Sequence, residues 1–498
     1  MRRLGLTALL SSLVVAVLAA QANAPQSLMP RFEAAPCPFE PNARVSGQVR
    51  CGYVTVLENR STPDGRRLRL AVAILKSFSG TPRPDPVVRL AGGPGEPLVA
   101  RALSVASDTS DASELIQTLR SERDVILYDQ RGVGFSEPAF CPDEAANWAA
   151  GRVGPARTAR RREVAARCGD AMRRLGFDLS QYNSAANALD LRDIRRALGY
   201  AQWNVHGHSY GTRLALVAMR DAAEGIRSVI LSGPYPTNVA LWFNVPGWTH
   251  DVATRVLASC AAQPGCRAAF PDVEQAFRRT IQELERNPWT RQGPRQTVTT
   301  TAATFTVRLQ GVMKTPRGLV TIPLLVHAMS TRNEAVLNAL AAREPTDESL
   351  QQDQGLHHAV QCFEEAPLNT AELKERMRRS YGPALFDGSL FADPSVCEGM
   401  HSFRANDAQT APVESAIPTL IVTGEFDPQT HRSNGPIVQR TLKNSQLVDV
   451  PSAGHIGMFA YRCTQRLAQD FLDAPLQRRD TSCLKAIPPI EFVTEVKR

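Results

Sequence analysis

Three residues far apart along the chain, Ser209, Asp427 and His455, are of the types that together make a hydroxyl nucleophilic. Ser209 lies in "WNVHGHSYGTRLAL", residues 203–216, with Gly207 and Gly211 two positions to either side. A serine hydroxyl is a weak nucleophile at neutral pH. It needs a base to take its proton, an acid to orient that base, and donors for the oxyanion of the transition state. The G-x-S-x-G spacing has a steric reason. It suits a sharp strand-to-helix turn in which side chains two residues from the serine would collide. By itself the pattern also occurs in ordinary loops, so the remaining parts must be found elsewhere.

The acid is Asp427, in "LIVTGEFDPQT", just past an apolar strand-like run. The base is His455, in the small-residue loop of "VPSAGHIGMF", also just past a strand. Strand C-terminal ends are where ligands gather in open parallel sheets. One oxyanion donor is expected from the N–H of Tyr210, the residue after the serine. The other is expected from the glycine-rich run Gly92-Gly93-Pro94-Gly95, with Gly93 as the chosen donor. His206 and His208 form an H-x-H pair without a carboxylate or cysteine nearby in sequence, and the serine turn explains that segment better than a metal does. Asp129 and Arg131, in "DQRGVG", read as residues that fix a second glycine-rich turn.

Elements that would position these groups are legible around them. "CGYVTVLENR" and "RRLRLAVAILKS" read as two strands about a Pro63-Asp64-Gly65 turn. "DPVVRLAGG", "ERDVILYDQ", "WNVHG" and "IRSVILSG" read as further strands, with a helix over 185–198 closed by Gly199. Alternation of strands and helices implies a mostly parallel sheet covered by helices on both faces. From 238 to 413 helix-like segments dominate, such as "VEQAFRRTIQELERNP". The alternation resumes at "IPTLIVTGEFDPQT". The expected organisation is a sheet domain over 25–237 and 414–498, interrupted by a largely helical cap over 238–413.

The first 24 residues carry Arg2 and Arg3, an apolar run from Leu4 to Ala20, and an A-x-A site at Ala22-Asn23-Ala24. This is the pattern of a cleaved export signal. Its loss takes two arginines from the formal charge of +8. No later segment offers 18 uninterrupted apolar residues, so no stable membrane association is expected. The most basic stretch, "GRVGPARTARRREVAARC", lacks interleaved aromatics and reads as a solvated helix face, so no nucleic-acid role is expected. The ten cysteines include no C-x-x-C. An even number in an exported chain suggests disulfides. Proximity pairs 37 with 51, 141 with 168, 260 with 266, 362 with 397, and 463 with 483.

"LAGGPGEP", "DVILYDQRGVGFSEP", "YNSAANALDLRDIRRALGYAQWNVHGHSYGTRLAL", "VTGEFDPQT" and "PSAGHIGMF" together resemble the secreted tripeptidyl-aminopeptidase and proline-iminopeptidase branch of the α/β-hydrolases. The chain order Ser209, Asp427, His455 is that fold's order. The resemblance implies an α/β-hydrolase fold with an inserted helical cap, and those three residues as nucleophile, acid and base. It implies short peptides with a free N-terminus as substrates, and neither a metal nor an organic cofactor. It also implies acidic cap residues that hold the substrate α-amine, which places Glu364 and Glu365, in "VQCFEEAP", in that role. Without the resemblance, the cluster His357, His358, Glu364 and Glu365 fits a metal site, a solvated face or an anchor. One departure is His431, which stands where members often have proline. The rival readings are a carboxylesterase on the same fold and a catalytically inactive binding protein.

Overall fold

The computed structural model describes residues 30–38, 47–100, 111–141, 155–294, 297–343, 353–382, 394–400 and 404–496. The expected export signal, 1–24, lies outside them. Its strands are β1 (Phe32–Ala34), β2 (Val49–Leu57), β3 (Arg67–Leu75), β4 (Val87–Leu90), β5 (Val125–Tyr128), β6 (Trp203–His208), β7 (Ile226–Ser232), β8 (Trp289–Gln292), β9 (Thr297–Thr300), β10 (Thr419–Gly424) and β11 (Ser445–Val450). Nine of them form one sheet in the order β1-β2-β3-β5-β4-β6-β7-β10-β11. From β5 to β11 every neighbouring pair is parallel, whereas β1, β2 and β3 join antiparallel. The parallel strands are short apolar runs because both faces are covered: "VILY" in β5 and "TLIVTG" in β10 are buried at every position.

The longer helices are α1 (Asp111–Leu119), α2 (Pro155–Arg174), α3 (Ser184–Ala197), α4 (Tyr210–Asp221), α5 (Leu241–Ala262), α6 (Val273–Arg286), α7 (Ala302–Met313), α8 (Ile322–Ser330), α9 (Glu334–Arg343), α10 (Gln354–Glu364), α11 (Ala371–Tyr381) and α12 (Arg462–Asp473). On one face of the sheet α2, α3 and α4 build a core with Ile126, Val205 and Val229. On the other, α1 and α12 supply Leu115, Leu119, Leu467 and Phe471 against Leu127, Ile230 and Val448. Helix α3 starts where Asn183 Oδ1 accepts from Ala186 N–H at 2.9 Å, and its chain turns away at Gly199, φ +77°.

The chain between β7 and β10 carries α5 to α11 and the β8–β9 hairpin. Its apolar residues divide between two cores. Val252, Phe277, Phe305 and Leu325 form a cluster within the helices, to which Phe426 and Ile490 contribute. Leu356, Ala359 and Val360 of α10 pack instead into the core under the sheet. Burying each such Leu or Val side chain stabilises by roughly 1.5–3 kcal/mol, which holds α10 to the core it shares with α2, α3 and α4.

The ten cysteines form five bridges: Cys37–Cys51, Cys141–Cys168, Cys260–Cys266, Cys362–Cys397 and Cys463–Cys483. These are the pairs that proximity in sequence suggested. Among the described residues no helix is long and apolar enough to cross a membrane.

Candidate active site

Strand β6 ends and α4 begins at Ser209, whose backbone sits at φ 56°, ψ −124°. A non-glycine residue held there costs of order 1–3 kcal/mol and persists only because its surroundings over-determine it. They do so here. Ser209 N–H donates to Ser232 O at 3.0 Å, and Thr212 N–H and Oγ1 both donate to Ser209 O, at 2.9 and 2.6 Å. The flanking glycines are required by contact. A Cβ on Gly207 would lie 2.3 Å from Gly211 O, and one on Gly211 would lie 2.4 Å from Leu90 O. A side chain at Gly207 would push the start of α4 away from the end of β6, and one at Gly211 would push the turn off β4.

The acid and base meet where β10 and β11 end. Asp427 is wholly buried and accepts four hydrogen bonds. Its Oδ1 takes Gln429 N–H at 2.8 Å and Thr430 N–H at 2.9 Å. Its Oδ2 takes Thr430 Oγ1 at 2.7 Å and His455 Nδ1 at 2.9 Å. Burial pushes this carboxyl up, but the His455 imidazole and the Thr430 and Gln429 donors outweigh it and hold it well below the usual range. The two loops touch through glycine, since a Cβ on Gly424 would lie 2.3 Å from Gly454 O. With Nδ1 donating to the carboxylate, the other nitrogen, Nε2, is the one able to accept a proton. The His455 ring lies 4.9 Å, centroid to centroid, from His208, the residue before the serine. The Asp427–His455 pair therefore lies beside the end of β6, where Ser209 follows His208.

The glycine-rich loop after β4 borders the serine: a Cβ on Gly92 would lie 3.4 Å from Ser209 Cβ. Gly92 N–H is already given to Glu96 Oε2, at 3.1 Å. The next amide along, and the one chosen from the sequence, is that of Gly93 (φ 103°). Tyr210 is the first residue of α4, and amides of a first helical turn have no intrahelical acceptor. The loop bearing Gly93 and the first turn of α4 bearing Tyr210 thus flank Ser209.

His206 and His208 share one hydroxyl: His206 Nε2 lies 3.1 Å and His208 Nδ1 3.3 Å from Ser232 Oγ. Burial first, then neighbouring cationic groups, pushes both imidazoles well below their usual pKa, so both are neutral. Asp129 accepts from Leu98, Val99 and Phe135 N–H, and Arg131 forks onto Asp190 with two contacts of 2.7 Å. Both brace loops. His431 stacks on Trp248, with centroids 5.9 Å apart.

Glu364 and Glu365, the residues expected to hold a substrate amine, have partners within the protein. Both are buried. Glu364 is paired with Arg213 Nε at 2.9 Å and accepts from Ser184 Oγ at 2.8 Å. Glu365 accepts from the Tyr235 hydroxyl, from Leu241 and Trp242 N–H, and from Asn369 Nδ2. These contacts join α10 to α3, α4 and α5. The sequence reading also missed Thr430 and Ser232. Thr430 left a signal, a hydroxyl three residues after the acid in "DPQT". Ser232 left none, because its partners lie on another strand.

The sequence model of the alpha/beta hydrolase fold matches residues 85–460, and the chain belongs to that family. A tripeptidyl aminopeptidase of Streptomyces lividans is 29% identical over 206 residues, which is 39% of this chain and 37% of that one. The serine protease Hip1 of Mycobacterium tuberculosis is 28% identical over 242 residues, 45% of this chain and 44% of that one. The matched segments thus span less than half the length of these relatives. Among solved structures, a proline iminopeptidase of Mycobacterium smegmatis aligns at 16% identity with a TM-score of 0.41, covering 85% of this chain and 98% of that one.

Proposed function

We propose that this α/β hydrolase is an exported serine hydrolase that releases residues or short peptides from the free N-terminus of peptide substrates. The observation that carries the reading is the His455 Nδ1–Asp427 Oδ2 contact of 2.9 Å at the rim where β6 delivers Ser209 on a strained turn. In this reading His455 Nε2 takes the Ser209 proton as Oγ attacks the scissile carbonyl. The developing oxyanion is received by the amides of Gly93 and Tyr210. The imidazolium, stabilised by Asp427, then protonates the leaving amine. Water enters, and the same base activates it to hydrolyse the acyl-enzyme. Peptides as substrates are suggested by relatives named as an aminopeptidase and a serine protease. Export is supported by the N-terminal sequence pattern and by five disulfides, which persist in oxidising compartments.

A carboxylesterase is the second reading, favoured by the engagement of Glu364 and Glu365 with Arg213, Tyr235 and main-chain donors. A substrate ammonium would have to displace those partners to reach either carboxylate. The deciding experiment offers the enzyme free-amine aminoacyl and tripeptidyl anilides, their N-blocked forms and simple esters, with Ser209→Ala as control. Turnover of free-amine anilides, lost on blocking, is expected. Turnover of esters alone would leave the esterase.

A further inference from the structure

Helix α10 touches both sides of the candidate oxyanion hole. At its first turn Asp353 N–H donates to Gly95 O at 2.7 Å, and His357 Nδ1 donates to Pro94 O at 3.1 Å. The approach is close, since a Cβ on Gly95 would lie 2.4 Å from Asp353 O. Burial lowers the His357 imidazole to about 4, so the ring is neutral and its single proton sits on the nitrogen facing the carbonyl. At the other end Glu364 Oε2 takes Ser184 Oγ at 2.8 Å, and the Tyr210 hydroxyl lies 2.8 Å from that same Ser184 oxygen. Glu364 also holds Arg213, one turn after Tyr210 on α4.

Gly93 and Tyr210 belong to separate elements, and an oxyanion donor is effective only within about 2.7–3.1 Å of the oxygen. The loop over 92–95 contains three glycines, the residue with the greatest backbone freedom. Something outside the loop must fix it. Helix α10, 11 residues long, spans roughly 16 Å as a rigid rod, and Leu356 and Val360 lock its body into the core. We propose that α10 is a strut that sets the separation of the Gly93 and Tyr210 amides, with His357 and Glu364 as its positioning residues. The proposal rests on the serine-hydrolase reading of the site.

The test compares the full chain with Ser209→Ala, His357→Ala, His357→Asn and His357→Gln. It reads hydrolysis of p-nitrophenyl acetate and the rate of labelling by a fluorophosphonate. An asparagine amide donates from nearly the position of imidazole Nδ1, whereas a glutamine amide does not. His357→Ala is expected to lower kcat about tenfold with KM within about twofold, less than the 10²–10³ lost when a donor is removed outright. His357→Asn should return kcat to within about threefold of wild type, and His357→Gln should not. Should the alanine variant fail to fold, the Asn-over-Gln order in kcat carries the comparison. Unchanged kcat in His357→Ala, a loss confined to KM, or equal loss in the Asn and Gln variants would overturn the strut. In those cases labelling of wild type but not Ser209→Ala would leave the hydrolase reading standing. A wild type that neither hydrolyses the ester nor takes the probe would remove both.

Discussion

Thr430 Oγ1 and His455 Nδ1 converge on the same oxygen, Oδ2 of Asp427, at 2.7 and 2.9 Å. The carboxylate is therefore fixed by its own loop before it orients the imidazole. Asp427→Asn keeps the size of the group but presents a donor or a weaker acceptor to Nδ1, which favours the wrong tautomer. The expected loss in kcat is of order 10³–10⁴ in steady-state assays, with the protein still folded by circular dichroism.

Thr430→Val removes the hydroxyl but keeps the shape. Loss of a hydrogen bond to a buried charged group is expected to cost about 1.5–3 kcal/mol in urea unfolding. Activity should fall by roughly tenfold, since His455 still has its acceptor but on a less constrained carboxylate.

Asp427 also predicts acid sensitivity. Its folded pKa lies below its unfolded value near 3.8, so its charged form stabilises the native state. That contribution is complete above about pH 4 and is lost as the pH falls through the folded value. Asp427→Asn should flatten the acid limb of a stability–pH curve measured by thermal melts.

Asp353 has the opposite sign. Burial raises its carboxyl to about 7, so its stabilising, protonated state is lost as the pH rises through that value. Asp353→Asn keeps an oxygen to cap Leu356 N–H, which Asp353 now does at 3.1 Å. The variant is expected to be more stable than wild type at pH 8, by at most about 4 kcal/mol, and equal to it near pH 4. A variant less stable at both pH values would contradict this.

Gly207→Ala and Gly211→Ala each place a methyl carbon 2.3–2.4 Å from a main-chain oxygen. Backbone must move in either case, so each should destabilise by more than about 2 kcal/mol and abolish fluorophosphonate labelling. A labelled, wild-type-stable Gly211→Ala would show that the turn tolerates what its geometry forbids.

The parts of this site written in short contiguous runs were legible in the sequence. Gly207, Ser209 and Gly211 announce their turn because all three stand within one short run, although the atoms that Gly211 must clear lie at the end of β4. Asp427 and His455 each follow an apolar strand, and strand ends are readable. The disulfides were legible for the same reason, each joining near neighbours. What could not be read was the use of a charge. Glu364 looks like an available carboxylate until Arg213, 151 positions away, is placed against it. Nothing local distinguishes a carboxylate that binds substrate from one that holds a helix to its neighbours. Likewise α10 falls within the stretch read as a cap, yet its apolar side packs with the sheet domain, because only the folded chain decides which core a helical stripe meets.

The five bridges, 37–51, 141–168, 260–266, 362–397 and 463–483, are neither nested nor crossed. Each closes before the next cysteine appears along the polymer. A chain emerging from its amino end can therefore oxidise every thiol with the next one to arrive, and consecutive pairing is already correct pairing.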